Sequence, residues 1–245
     1  MAPSRRDEEG PGRWGRRRMI VAVHQPNYLP YLGFFQKMAN ADVLLFFDTA
    51  LFSRQLGFHN RNRIKTPIGA QWITVPIQHS TVATMRDVRI AGTDWARQHR
   101  KMIEANYRRA PFFESYSTEL HAALKKPWTS LVELNEAMIG LVARSLSIDT
   151  KTVKTSTLPP PNTDDPTEKL IHFARSVRGT TYLSGVGGHE YLDESKFTDI
   201  RLKYDEFTPT EYPQLFGPFI ENLSAIDRVR RQTRIRMSAR IGREV

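Results

Sequence analysis

The stretch Val21–Asp48, VAVHQPNYLPYLGFFQKMANADVLLFFD, decides how the rest of the chain is read. An apolar run, Met19 to Val23, leads into a turn that gathers His24, Gln25, Asn27 and Tyr28 around Pro26 and Pro30. An apolar-periodic segment, Leu32 to Ala41, leaves the turn. A second apolar run, Val43 to Phe47, ends on Asp48. The order is strand, polar loop, helix, strand. Open α/β sheets bind ligands where the carboxyl end of a strand meets the start of a helix. A polar loop stiffened by two prolines at that place is a site more readily than a connection.

Working outward, Asn60 to Lys65 (NRNRIK) is a tight polar cluster, Pro67-Ile68-Gly69 is a turn signal, and Ala70 to Ile77 alternates as a strand does. Asp87 to Ile90 reads as another short strand. Asp94 can cap a helix that runs to about Tyr107 and stops before Pro111. Glu114 to Leu124 and Thr129 to Leu146 follow as helices, the second with Ser130 as a cap. Thr152 to Thr155 reads as a strand. Leu158 to Pro166 (LPPPNTDDP) is linker-like, either dividing the chain or forming a rigid loop within it. Thr167 to Val177 is a helix and Thr180 to Leu183 a strand. Ser184 to Gly188 (SGVGG) comes next, then a short helix and a strand near Ile200 to Tyr204. A last helix is expected from about Leu223, with Ile226, Val229, Thr233 and Met237 on one side. The fold class is α/β: a Rossmann-like, mostly parallel sheet flanked by helices, with an additional helical part. Residues 19–227 form one catalytic domain, with a subdivision near 158–166 as the alternative.

At 245 residues the chain has ample material for a core. It has no apolar run of about 18 residues, so no membrane span is expected. There is no cysteine, which removes disulfides, a thiolate nucleophile and cysteine-ligated zinc. A cytoplasmic location follows by default. The net charge of +10 sits at the ends. Residues 1–18 hold six arginines against three acids, and residues 228–245 hold seven arginines against one acid. The 209 residues between hold 23 bases and 22 acids. The first segment reads as a disordered leader, with Met19 an alternative start, and the second as a basic tail helix. A nucleic-acid binder would carry its charge on the folded body, so nucleic acid is not an expected partner.

Several groups could carry chemistry. His24 at a strand end can serve as general base or acid. Asp48, ending the neighbouring strand, could orient it or hold a substrate amine. Asn27 and Tyr28 could steady a developing oxyanion and Gln25 could contact substrate, although a histidine hydrogen-bonded within a stiff turn explains the same residues. Asn60, Arg61, Asn62, Arg63 and Lys65 could grip an anionic donor, because arginine forks bind phosphate or carboxylate bidentately. A solvated basic loop is the plainer account. Ser184, Gly185, Gly187 and Gly188 could present backbone N–H groups to an oxyanion, flanked by Tyr182 and Tyr191; tight turns use glycine as often. His99, with Trp95 one turn back and Tyr107 two turns on, is either a packed helix histidine or a substrate contact. No HxxxH or HxH pair supports a metal, and no GxSxG, Walker or GxGxxG motif is present. The segment Tyr31-Leu32-Gly33-Phe34 resembles in shape the HxGH corner of nucleotidyltransferases, with Tyr31 and Phe34 in place of its two histidines.

Taken in order, His24–Asp42, NRNRIK, Gly69–Ile77 (GAQWITVPI), the Trp95/His99/Tyr107 helix, Tyr182–Leu192 (YLSGVGGHEYL) and Phe216–Val229 resemble the WbqC-like family over most of residues 19–229. Arg230-Arg231-Gln232 departs from it, standing where that family has a more apolar, glycine-ended segment. The resemblance implies tailoring of O-antigen, other surface sugars or natural products. It is expected, then, that the protein is a biosynthetic acyl- or aminoacyl-transferase forming an amide on the amine of a small-molecule acceptor. No cofactor is expected to be tightly bound. The donor would be the phosphopantetheine arm of an acyl carrier protein or a nucleotide. A nucleotide-dependent enzyme and a non-catalytic pathway scaffold are the alternatives.

Overall fold

The computed structural model describes residues 18–53, 57–78, 84–111 and 113–228. The expected leader and basic tail therefore lie outside the described residues, apart from Arg18 and Arg228. A five-stranded parallel sheet organises the chain. Its strands are β1 (Ile20–His24), β2 (Val43–Phe46), β5 (Lys151–Lys154), β6 (Thr181–Gly185) and β7 (Arg201–Asp205), in the order β5-β2-β1-β6-β7. The helix α1 (Leu32–Ala39) joins β1 to β2, and α5 (Pro166–Ser176) precedes β6. Strands on both sides of residues 158–166 thus share one sheet. That segment ends in Asp165, whose carboxylate accepts from Glu168 N and caps α5, with Pro166 in the first turn.

The period of two along the strands feeds two cores. Ala22, Leu44, Phe46 and Leu183 face α1 and the helices α2 (Asp94–Tyr107), α3 (Glu114–Leu124) and α4 (Leu131–Ser145). Val21, Val23, Val43, Leu45, Tyr182, Leu202 and Tyr204 face the other way, onto Leu170, Ile171 and Phe173 of α5. Central strands buried on both faces explain the unbroken apolar runs that mark β1 and β2 in the sequence.

Three elements differ from expectation. NRNRIK is a strand, β3 (Arg61–Thr66), paired antiparallel with β4 (Gly69–Thr74). Asn62, Ile64 and Thr66 alternate inward, and the polar residue types hid that period. Residues 85–87 form a single tight turn followed by isolated bridges at Arg89 and Ile90, in place of a strand. No helix begins at Leu223: Ser224 bridges to Tyr31, and Ala225–Asp227 is one 3-10 turn. Val229, Thr233 and Met237 lie outside the described residues.

The turn after β1 is buried although it has no regular structure. Tyr28 and Leu29 are fully buried, and Leu29 adopts φ 44°. Each exposed peptide group of such a loop needs a partner, since an unmet buried one is costly. Tyr28 N donates to Phe58 O, Asn135 Nδ2 donates to Pro26 O and to His59 O, Asn62 Nδ2 donates to Leu29 O, and Ala225 N donates to Pro30 O. The Tyr28 hydroxyl lies 2.9 Å from His99 Nδ1, and His99 Nε2 lies 3.2 Å from Thr74 O. A carbonyl only accepts, so His99 carries its proton on Nε2 and Nδ1 accepts from Tyr28. Burial lowers the His99 pKa to about 4, which keeps this arrangement neutral.

Two outcomes are expected. Asn135→Ala leaves two buried carbonyls unmet and should lower stability by about 2–4 kcal/mol in urea unfolding. His99 lies below its ordinary pKa when folded, so only the unfolded chain takes up its proton as pH falls. Its contribution is complete above about pH 6.5 and fades toward pH 4, with a slope approaching 1.4 kcal/mol per pH unit. His99→Gln should therefore lose less stability between pH 7 and 5 than the unaltered chain.

Candidate functional site

The strand order reverses beside β1. The path β1-α1-β2 and then β5 steps outward on one side, whereas β6 and β7 lie on the other. Such a switch point opens a crevice at the carboxyl ends of the two strands that flank it, here β1 and β6. The register that pairs Ala22 with Leu183 brings His24 level with Gly185, and Gly185 pairs with Asp205 of β7. The crevice is therefore bordered by His24, Gly185 and Asp205.

His24 is placed by β1 and braced edge-on against Phe34 of α1, with ring centroids 4.8 Å apart. Its Nδ1 lies 2.8 Å from Gln25 O, so the ring proton sits on Nδ1. Nε2 then carries the lone pair, and it has no partner among the described residues. Burial lowers the His24 pKa to about 3, helped by the cation of Lys37 and by His59. Lys37 lies on the buried side of α1, donates from Nζ to Val23 O at 3.0 Å, and has its pKa lowered by burial to about 8, with Asp205 opposing the shift. Burial raises the Asp205 pKa, against hydrogen bonds from Asn40 and Gln36 and the charge of Lys37. Tyr31 is raised too, by burial and then by Asp205. Displaced titratable groups gathered at a crevice are a signature of chemistry.

Gln36, Lys37, His59 and Asp205 were not among the site residues expected from the sequence, and Tyr31 was noted only in the place of a histidine of the HxGH corner. Lys37 had a signal: it follows Phe34 by three residues and so shares a helix side with a core aromatic. Asp205 ends its strand as Asp48 ends another. His59, whose Nδ1 pairs with Asn27 Oδ1 at 3.0 Å while Nε2 is buried and unpartnered, had none.

Many expected site residues are committed elsewhere. Asp48 does not orient His24: its carboxylate accepts from Thr155 Oγ1, Ser156 N and Ser156 Oγ, and is 1% exposed. Tyr28 is buried on His99, which closes both to a ligand. Asn27 accepts from His59, and Gln25 donates to Leu51 O. Asn60 donates to Val75 O and Asn62 to Leu29 O. Lys65 is 1% exposed and donates to Gln214 Oε1 and Pro218 O. Arg61 and Arg63 stack over the exposed Trp72, 4.6 and 5.8 Å from its ring centre. The asparagine–arginine cluster is thus a structural strand whose two half-buried arginines stack on Trp72. The glycine bend divides as well. Tyr182 and Ser184 are buried on the α5 side, and a Cβ at Gly188 would meet Ser184 Oγ at 2.1 Å, so packing requires that glycine. Gly185 and Gly187 face open space, and Tyr191 is exposed. Gly33, level with the glycine of the HxGH corner, is packed too: a Cβ there would lie 2.4 Å from the Tyr31 ring and 2.8 Å from Phe207. Among the described residues no group of three or more histidines, cysteines or acids could hold a metal. No helix of the described residues is long and apolar enough to cross a membrane.

The model of the WbqC-like protein family matches residues 25–237. An uncharacterised protein of Mycobacterium tuberculosis, Rv1507c, is 32% identical over 218 residues, covering 84% of this chain and 91% of its own length. No solved structure matches. The match begins within the histidine turn and runs through every strand of the sheet beyond β1, and by its extent the chain belongs to the WbqC-like protein family.

Proposed function

We propose that the protein is a biosynthetic transferase that moves an acyl or aminoacyl group onto the amine of a small acceptor in the crevice between β1 and β6. One observation carries the proposal. His24 stands at the strand-order reversal as a neutral imidazole, its Nδ1 proton held by Gln25 O and its Nε2 lone pair without a partner among the described residues. In this mechanism the acceptor nitrogen attacks the carbonyl carbon of an activated ester or thioester, and His24 Nε2 takes the proton that the nitrogen sheds. The bond to the leaving oxygen or sulfur breaks and the amide forms. Lys37 supplies a fixed positive charge beside the developing oxyanion, and the open backbone at Gly185–Gly187 supplies N–H donors. Attack is direct, because the chain has no cysteine to carry an acyl intermediate.

The packing of Gly33 against Tyr31 and Phe207 argues against the nucleotidyl-transfer alternative, since it fills the space a phosphate would need. Three experiments separate the readings. Acyl-pantetheine thioesters offered with amino sugars should release free thiol, which a thiol reagent detects without background from a cysteine-free protein. Folded His24→Ala should be slower by about 10²–10⁴-fold; unchanged turnover would remove the mechanism. ATP or CTP with Mg²⁺ should leave the melting temperature unmoved, whereas a saturable rise would transfer the crevice to a nucleotide.

A further inference from the structure

The hairpin of β3 and β4 follows β2 and begins against the histidine turn: Tyr28 N donates to Phe58 O, and His59 Nδ1 pairs with Asn27 Oδ1. Its register sets Arg63 opposite Trp72 and Arg61 opposite Thr74, which puts both arginines and the tryptophan on one face. Asn62, Ile64 and Ile73 are buried on the other. Lys65 shares the arginine face but is covered by Gln214 and Pro218. Trp72, by contrast, is 42% exposed, and Phe58, tilted against it at 5.8 Å, is 40% exposed.

Two features of this face point to an acidic partner. Neither arginine is paired with a carboxylate: every ion pair among the described residues is made by another cation. Arg61 donates Nε to Gly57 O. A half-buried guanidinium without a counter-charge gains from acquiring one. Tryptophan beside arginine is also the composition of interface anchors. Stacking on the indole holds the guanidiniums in place before a partner arrives, which lowers the entropy cost of capture. The Trp72 ring already carries Arg61 and Phe58, so a flat base or sugar would have to displace them. A carboxylate meets the N–H edges of the arginines directly.

We propose that this face docks the acidic surface of an acyl carrier protein, the donor's carrier in the transferase reading, on which the proposal rests. Holo acyl carrier protein added to the full chain should change the tryptophan fluorescence saturably, and binding should weaken as salt is raised. The double variant Arg61→Gln/Arg63→Gln should bind at least about tenfold more weakly. The unaltered chain should be weakened likewise toward a carrier whose surface aspartates and glutamates are replaced by their amides, and this decides if the double variant fails to fold. Unweakened binding in either case, or no binding by the unaltered chain, would overturn the proposal. Turnover keeps the two readings apart. The double variant should slow transfer from the carrier-bound thioester about tenfold and leave free acyl-pantetheine unaffected; equal slowing of both would overturn docking. If neither donor releases thiol with the unaltered chain, the transferase reading fails, while the titration still decides docking.

Discussion

The structure depends on the satisfaction of a buried loop. Residues 25–30 leave the central strand and pass beneath other elements without forming a helix or a sheet ladder. Loops normally run over the surface because water then meets their peptide groups. Here the partners are protein groups drawn from four places: Phe58 before β3, Asn62 within it, Asn135 on α4, and Ala225 in the segment after β7. Each of these elements is fixed against the turn by one or two hydrogen bonds in a low-dielectric setting. Removing any of them leaves an unmet polar group, which makes the loop rigid and its exit geometry definite.

That rigidity bears directly on His24. The imidazole is set between α1 and the crevice by the strand behind it and the turn ahead of it. Its tautomer is settled by the carbonyl of the next residue, and its neutral state by burial and a nearby buried lysine. Two other histidines close by show what a structural role looks like. His99 has both ring nitrogens engaged, and His59 has one engaged and one sealed. His24 differs from both: its proton is fixed on Nδ1, and its Nε2 has no partner among the described residues.

The polar groups around the crevice lie on the α1 side of the sheet. Lys37, Gln36 and Asn40 come from the helix, Asp205 from the end of β7, and Tyr31 from the residue before α1. A lysine and an aspartate at such depth offset one another electrostatically. Neither would be tolerated alone in an apolar layer. The arginines of β3 solve a different problem, covering an exposed tryptophan on a two-stranded sheet.

The strand-loop-helix-strand unit at residues 19–48, the five helices and the capping by Ser130 were legible in the sequence. They rest on local periodicity and on residue types whose preferences act within a few positions. The β3 strand was not legible, because its buried residues include asparagine and lysine, whose burial is made tolerable by partners at Leu29, Gln214 and Pro218. Which of the polar residues would be ligand-facing was equally hidden. Tyr28, Asn62, Asp48 and Lys65 have the chemistry of a site, and each is engaged by residues distant in the chain. The tertiary structure alone decided this, since a hydrogen-bonding side chain becomes structural or functional according to whether the fold brings it a partner.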